Sequence, residues 1–157
     1  AGSLGMGLSF GIGCAIASKF DKSDRECYVM LGDGEIQEGA VWEAMMAAKH
    51  HELDNLNVIL DCNRIQNDDF VESQMRMFNI VDKWLSFGWN VKEIDGHNMY
   101  EIIDGMRWLK GNKDAPSVLI ANTIKGKGVS YMENNPKFHG AAPNEEQYEL
   151  ALKELGE

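Results

Sequence analysis

The sequence predicts an α/β domain built on a parallel sheet with helices on both faces. Two observations lead there. Four short runs rich in β-branched and aliphatic residues, at 27–31 (CYVML), 56–61 (LNVILD), 89–95 (WNVKEID) and 117–122 (SVLIAN), have strand length and mostly end in turn residues. Segments with helical spacing of apolar residues lie between them. Such alternation favours parallel pairing, because a parallel neighbour can be reached only through a crossover. The 157 residues, 44% hydrophobic and 25% charged, suffice for one globular domain with its own core.

The elements follow in chain order. Residues 4–20 predict a helix that sets Gly5, Gly7, Gly11, Gly13, Ala15 and Ala17 where another backbone can approach closely. Each glycine costs about 1 kcal/mol of helix stability, so such a helix needs close neighbours. After the first strand, residues 38–51 read as a helix that is apolar nearly all round, as a buried interface helix would be. The second strand is followed by a helix at about 71–87 and the third by one at 99–110. In the latter, Met99, Ile102, Ile103, Met106 and Leu109 recur at helical spacing. Residues 144–155 close the chain as an amphipathic helix with Tyr148, Leu152 and Leu155 on one stripe. No internal repeat, low-complexity segment or second domain is evident, and 1–157 reads as a single domain.

The bulk charge narrows the partners. Lys and Arg number 15 against 25 Asp and Glu, a net charge of −10. Nucleic acid and anionic membrane are thereby excluded, since both need a field of the opposite sign. A phosphate-bearing ligand must be held by a local device: a helix N-terminus, a metal ion or a few placed cations. Cys14, Cys27 and Cys62 are odd in number, widely spaced and without zinc-ligand spacing, which fits reduced thiols in a cytoplasmic protein. Residues 4–17 are the only stretch resembling a targeting segment. They lack a basic start, are broken by four glycines and are too short to span a bilayer, so a soluble protein is expected. The chain begins Ala1-Gly2-Ser3 with neither Met nor a capping sequence, and the domain is read as incomplete on its N-terminal side.

Gly32-Asp33-Gly34 falls at the carboxyl end of the first predicted strand, where ligands bind in open α/β sheets. Its glycines let the backbone turn sharply and approach a ligand, although an ordinary strand-to-helix turn fits the tripeptide equally. Leu60-Asp61-Cys62-Asn63-Arg64-Ile65 ends the next strand. Parallel neighbours would set Asn63 beside Asp33. A carboxylate oxygen, an amide oxygen and main-chain carbonyls suit a hard ion such as Mg²⁺, with phosphate oxygens and water completing its octahedron.

The stretch GDGEIQEGAVWEAMMAAKHHELDNLNVILDCNRI resembles the thiamine-diphosphate motif as it occurs in the transketolase family, and the resemblance extends over nearly all of the chain. It implies a thiamine-diphosphate-binding fold in which Asp33, Asn63 and the Ile65 carbonyl hold Mg²⁺, with Ca²⁺ or Mn²⁺ as substitutes. Gly32 and Gly34 would face the diphosphate. Gly2 and Leu4, in the opening Gly-Ser-Leu-Gly-Met-Gly, match the family's cofactor-contacting loop. Glu38 and Glu43 match two glutamates that transketolases set near the interface between paired active sites, in cofactor activation; a helix N-terminus and a solvated face are the plainer readings. Lys125, in Asn122-Thr123-Ile124-Lys125-Gly126-Lys127-Gly128, matches a lysine that contacts the cofactor in some members, against a solvated basic loop. His139, in Phe138-His139-Gly140, is similar to a late histidine that lies over the thiazolium and assists proton transfer. His97 fits the family pattern without an assignable role, and His50 and His51 are expected at a helix C-terminus.

The function implied is transfer of a two-carbon ketol unit from a ketose phosphate to an aldose phosphate, with thiamine diphosphate carrying the chemistry. The glutamate that serves the aminopyrimidine lies, in this family, on a separate pyrimidine-binding domain or C-terminal subunit. Assembly as a homo- or hetero-oligomer is therefore expected, with this chain inactive alone. Two alternatives remain: another thiamine enzyme, such as 1-deoxyxylulose-5-phosphate synthase or a keto-acid dehydrogenase component, and a non-catalytic partner-binding fragment.

Overall fold

Helix α1 (Met6–Phe20) leads into strand β1 (Cys27–Gly32), and a short 3₁₀ turn (Glu35–Gln37) into α2 (Gly39–His50). There follow β2 (Leu56–Cys62), the two-residue strands β3 (Ile65–Gln66) and β4 (Asp69–Phe70), α3 (Val71–Gln74), α4 (Ile80–Ser86) and β5 (Asn90–Asp95). The chain continues with α5 (Met99–Gly111), β6 (Ser117–Asn122), a second 3₁₀ turn (Pro136–Phe138) and α6 (Glu145–Leu155). This is a computed structural model that describes residues 2–67 and 69–156; the expectation about the chain's start at Ala1 lies outside them.

The four longer strands form one parallel sheet in the order β1-β2-β6-β5. Its two faces are filled differently. Toward α1, α2 and α4 lies the larger core, which includes Leu8, Val41, Met45, Leu56, Val58, Trp84, Val118 and Ile120. On the opposite face α5 covers Leu119, Ala121 and Ile94 with Leu109, Ile102 and Met106. Alternate residues of β6 thus feed opposite cores, as the two-residue period of a strand requires. At the β1 end no described element covers the second face, and Tyr28 and Met30 are 44% and 67% exposed.

Of the small residues expected to serve close approach in the first helix, Gly11 alone among the glycines within α1 does so, since a Cβ on Gly7 would stand 3.8 Å from Val29 and one on Gly13 would meet nothing. A Cβ on Gly11 would lie 2.4 Å from Val29 Cγ2, so α1 rests on β1 at a distance no side chain permits. Trp84 and Trp89 meet edge to face at 4.8 Å, and the buried Trp89 indole N–H donates to the Met45 carbonyl at 3.1 Å. That bond ties the start of β5 to α2.

One expectation is corrected. The helix at 71–87 is two helices with an extended segment between. Met75 is extended, Phe78 has φ 50°, and the Asn79 side chain caps α4 by accepting from the Asp82 N–H. The break lets Met77 enter the core at 8% exposure, a gain that outweighs local helix preference. Helix α2 begins at Gly39; Glu38 precedes it in extended conformation without a side-chain capping bond, and Glu43 and Met46 face outward. In α6 only Ala151 is buried, while Tyr148 and Leu155 are 51% and 59% exposed, so the stripe at 148, 152 and 155 packs largely against solvent. Its start is fixed by a reciprocal capping box between Asn144 and Gln147. The β3–β4 hairpin has no counterpart among the expected elements, because two-residue strands carry no detectable periodicity.

Candidate functional site

Register brings the two motifs together. Gly32 pairs with Asp61 across β1 and β2, and the Asp33 N–H donates to the Asp61 carbonyl at 3.2 Å. The Asp33 carboxylate is 2% exposed; it accepts the Gly34 N–H at 2.8 Å and the Arg64 N–H. Arg64 sits at φ 65°, a left-handed turn that aims its N–H back at Asp33. Burial pushes the Asp33 carboxyl up to about 6, opposed by those backbone donors and reinforced by the neighbouring Asp61. Among the described residues no basic side chain pairs with it.

Asp61 organises the next strand end. One of its oxygens accepts the Thr123 hydroxyl and the other the Asn63 amide at 3.0 Å, while Asn63 Oδ1 accepts the Ile65 N–H at 3.0 Å. These bonds hold the Asn63 amide in one orientation and leave its oxygen a second lone pair.

Beside Asp33 opens a cleft of about 360 Å³ lined by Leu4, Gly32, Asp33, Gly34, Glu35, Gln37, Glu38, Asn63, Ile65, Gln66, Asn67, Met75, Lys125 and His139. Of the site residues expected from sequence, all but Gly2 and Glu43 belong to this lining. Glu43 is exposed on the outer face of α2. Lys125 arrives from β6 through a loop that is pinned three times. The Thr123 N–H donates to the Cys62 carbonyl at 3.2 Å, the Ile124 N–H to His97 Nε2 at 2.7 Å, and the Asn134 N–H to the Lys125 carbonyl at 3.0 Å. His139 follows the Pro136–Phe138 turn, which Tyr131 supports edge-on to Phe138 at 5.2 Å. His50 and His51 end α2, exposed, their rings 5.0 Å apart.

Sequence reasoning missed Glu35, Asp61, Gln66 and Thr123 and gave His97 no role. Asp61 had a signal, since it stands opposite Gly32 once the parallel pairing is granted. Glu35 and Gln66 had none, because their contacts join segments far apart in sequence. Gln66 lines the cleft, and its buried Oε1 has no hydrogen-bond partner among the described residues. The cleft is electrically negative: Asp33, Glu35 and Glu38 face one lysine, Lys125. Among the described residues no three His, Cys, Asp or Glu side chains gather as a metal-binding group. An ion held here would therefore need ligands from main chain, amide and a bound anion.

Such an arrangement, an open parallel sheet with a buried carboxylate and an oriented amide over its strand ends, defines an α/β cofactor-binding domain. The family profile described as "Transketolase, thiamine diphosphate binding domain" matches residues 1–157, and the chain belongs to that family. It is 46% identical over 156 residues to one subunit of the apulose-4-phosphate transketolase of Phocaeicola vulgatus, covering 99% of this chain and 56% of that one. To the 6-deoxy-6-sulfo-D-fructose transketolase subunit SqwG of Clostridium sp. (strain MSTE9) it is 40% identical, covering 98% and 56%. Human transketolase is 37% identical over 155 residues, 98% of this chain and 24% of that protein. The crystal structure of Campylobacter jejuni transketolase superposes with a TM-score of 0.91 at 32% identity, covering 98% of this chain and 25% of the other. The chain thus spans about half the length of the two bacterial relatives and about a quarter of human transketolase. No helix among the described residues is long and apolar enough to cross a membrane.

Proposed function

We propose that this chain is the diphosphate-binding part of a cytoplasmic transketolase, which transfers a two-carbon ketol unit between ketose and aldose phosphates with thiamine diphosphate and Mg²⁺. The observation that carries it is the meeting of Asp33, Asn63, Ile65, Lys125 and His139 in one cleft at the strand ends. The donor set fits the group. Among the described residues the buried Asp33 carboxylate has no cationic partner and the buried Gln66 amide oxygen no hydrogen-bond partner, both residues line the cleft, and its negative charge admits a diphosphate only together with a divalent cation.

Asp33 and Asn63 would hold Mg²⁺ through their side-chain oxygens and Ile65 through its carbonyl. Lys125 would pair with a diphosphate oxygen, and Gly2, Leu4, Gly32 and Gly34 would bound the cofactor with backbone. When bound, thiamine diphosphate supplies the carbon nucleophile and electron sink for breaking and making the carbon–carbon bond. His139, exposed at the cleft mouth, would donate and accept protons at substrate oxygens. Glu38 and Glu43, both exposed, are assigned to the junction with a pyrimidine-binding domain or C-terminal subunit, whose arrival completes the active site in a homo- or hetero-oligomer.

Thermal unfolding with thiamine diphosphate and Mg²⁺, together and separately, tests the site. A ligand that binds only the folded state must raise its stability. The native chain is expected to respond to the pair and Asp33→Ala not to respond; an identical response in both proteins would remove the cofactor site.

A further inference from the structure

Glu35 stands in the turn after Gly32-Asp33-Gly34 and has no place in the ligand set proposed above. Its carboxylate spans two backbone donors that lie far apart in sequence. Oε1 accepts the Gly5 N–H at 3.0 Å, thirty residues away, and Oε2 accepts the Gly32 N–H at 3.1 Å. Gly5 precedes α1 in a left-handed conformation, φ 76°, and supplies no side chain to cap it. A Cβ there would come within 2.7 Å of Glu38 Cβ, so the loop lies directly against the turn that bears Glu35. Gly32 is the last residue of β1, immediately before the buried Asp33. One carboxylate thus fastens the Leu4 loop to the strand end that carries the proposed metal ligand.

We propose that Glu35 is a positioning residue that holds the Leu4 loop against the end of β1, so that the cleft is formed before the diphosphate cofactor arrives. Both oxygens are used as acceptors, so the chemistry demands a carboxylate. Glutamine offers one oxygen and turns an NH₂ toward the second N–H; aspartate keeps the charge but is one methylene short of the span. A loop left free must be ordered at the moment of binding, and that cost appears as lost affinity rather than as a slower reaction once the site is filled.

This inference rests on the cofactor reading, and the test separates the two. Amide hydrogen exchange by NMR and the Kd for thiamine diphosphate at saturating Mg²⁺ are measured on the full chain and on Glu35→Gln. The substitution is expected to speed exchange at Gly5 and Gly32 while α2 and β2 stay protected, and to weaken cofactor binding by roughly tenfold or more. Reconstituted with its pyrimidine-binding partner, the variant should show a raised KM for cofactor with kcat retained. If Glu35→Gln does not fold, Glu35→Asp provides the same comparison. Unchanged exchange at Gly5 and Gly32 overturns the inference, as does faster exchange with an unaltered Kd. Absence of binding by the unsubstituted chain instead overturns the cofactor reading, and the inference falls with it.

Discussion

Asp33 shows how one residue sets conflicting demands on stability and binding. Its carboxyl, held near 6 by burial against an ordinary 3.8, binds a proton more tightly in the folded state. Stability from this group is therefore fully present below pH 3.8 and is lost as pH rises through 6, a change of about 3 kcal/mol. Asp33→Asn removes the titration. The stability of the native cofactor-free chain, measured by urea unfolding relative to Asp33→Asn, should fall between pH 4 and 7; a flat difference would contradict the burial argument. The cysteines differ by the same physics. Cys14 is exposed, whereas Cys62 is buried and its thiol is pushed up to about 11, first by burial and then by Asp33. In the isolated folded chain at pH 8, iodoacetamide should label Cys14 and spare Cys62, which mass spectrometry of the peptides would reveal.

At the scale of elements, packing and propensity oppose each other at Gly11. Replacing it by Ala gains about 1 kcal/mol of helix propensity. The new methyl, however, would meet the stiff β-branched Val29 at 2.4 Å, and overpacking of this kind costs about 1–3 kcal/mol. The clash should win: Gly11→Ala is expected to lower Tm, and the added Val29→Ala to restore part of the loss. A Gly11→Ala variant that melts above the native chain would show that α1 lies farther from β1. The break at 75–79 illustrates a related conflict, since a helical run with no proline inside it yields to the burial of Met77 and the Asn79 cap. Asn79→Ala should cost about 1 kcal/mol, read as a lower Tm without loss of cofactor response.

On the scale of the whole molecule, charge governs ligand binding. With a net charge of −10 and three carboxylates facing one lysine in the cleft, thiamine diphosphate without a divalent cation enters an opposing field. Titration calorimetry should detect binding with Mg²⁺ and none with EDTA at the same ionic strength; equal affinity in both would mean that the lysine and backbone alone suffice. The sheet face at Tyr28 and Met30, which no described element covers, and the outward Phe10 and Phe20 of α1 leave apolar surface on the isolated chain. Ketol transfer is expected only after a pyrimidine-binding domain is added, and turnover by the chain alone would refute the division of the active site.

Much was legible because it is written locally. The four strands announce themselves by short apolar runs, the glycine-rich first helix by its spacing, and the Gly-Asp-Gly and Asn pair by its position at strand ends, so the sequence by itself determined the parallel α/β class and the family. Tertiary structure decided what depends on contacts across the chain. The register that sets Asp61 opposite Gly32, the His97 bond to the loop before Lys125 and the Glu35 bond to Gly5 join segments distant in sequence, and the break before Asn79 follows from the burial of Met77 in the assembled core. Periodicity reports which face of an element is apolar; it carries no information about which distant backbone donor a side chain will meet, because that geometry exists only once the sheet has assembled.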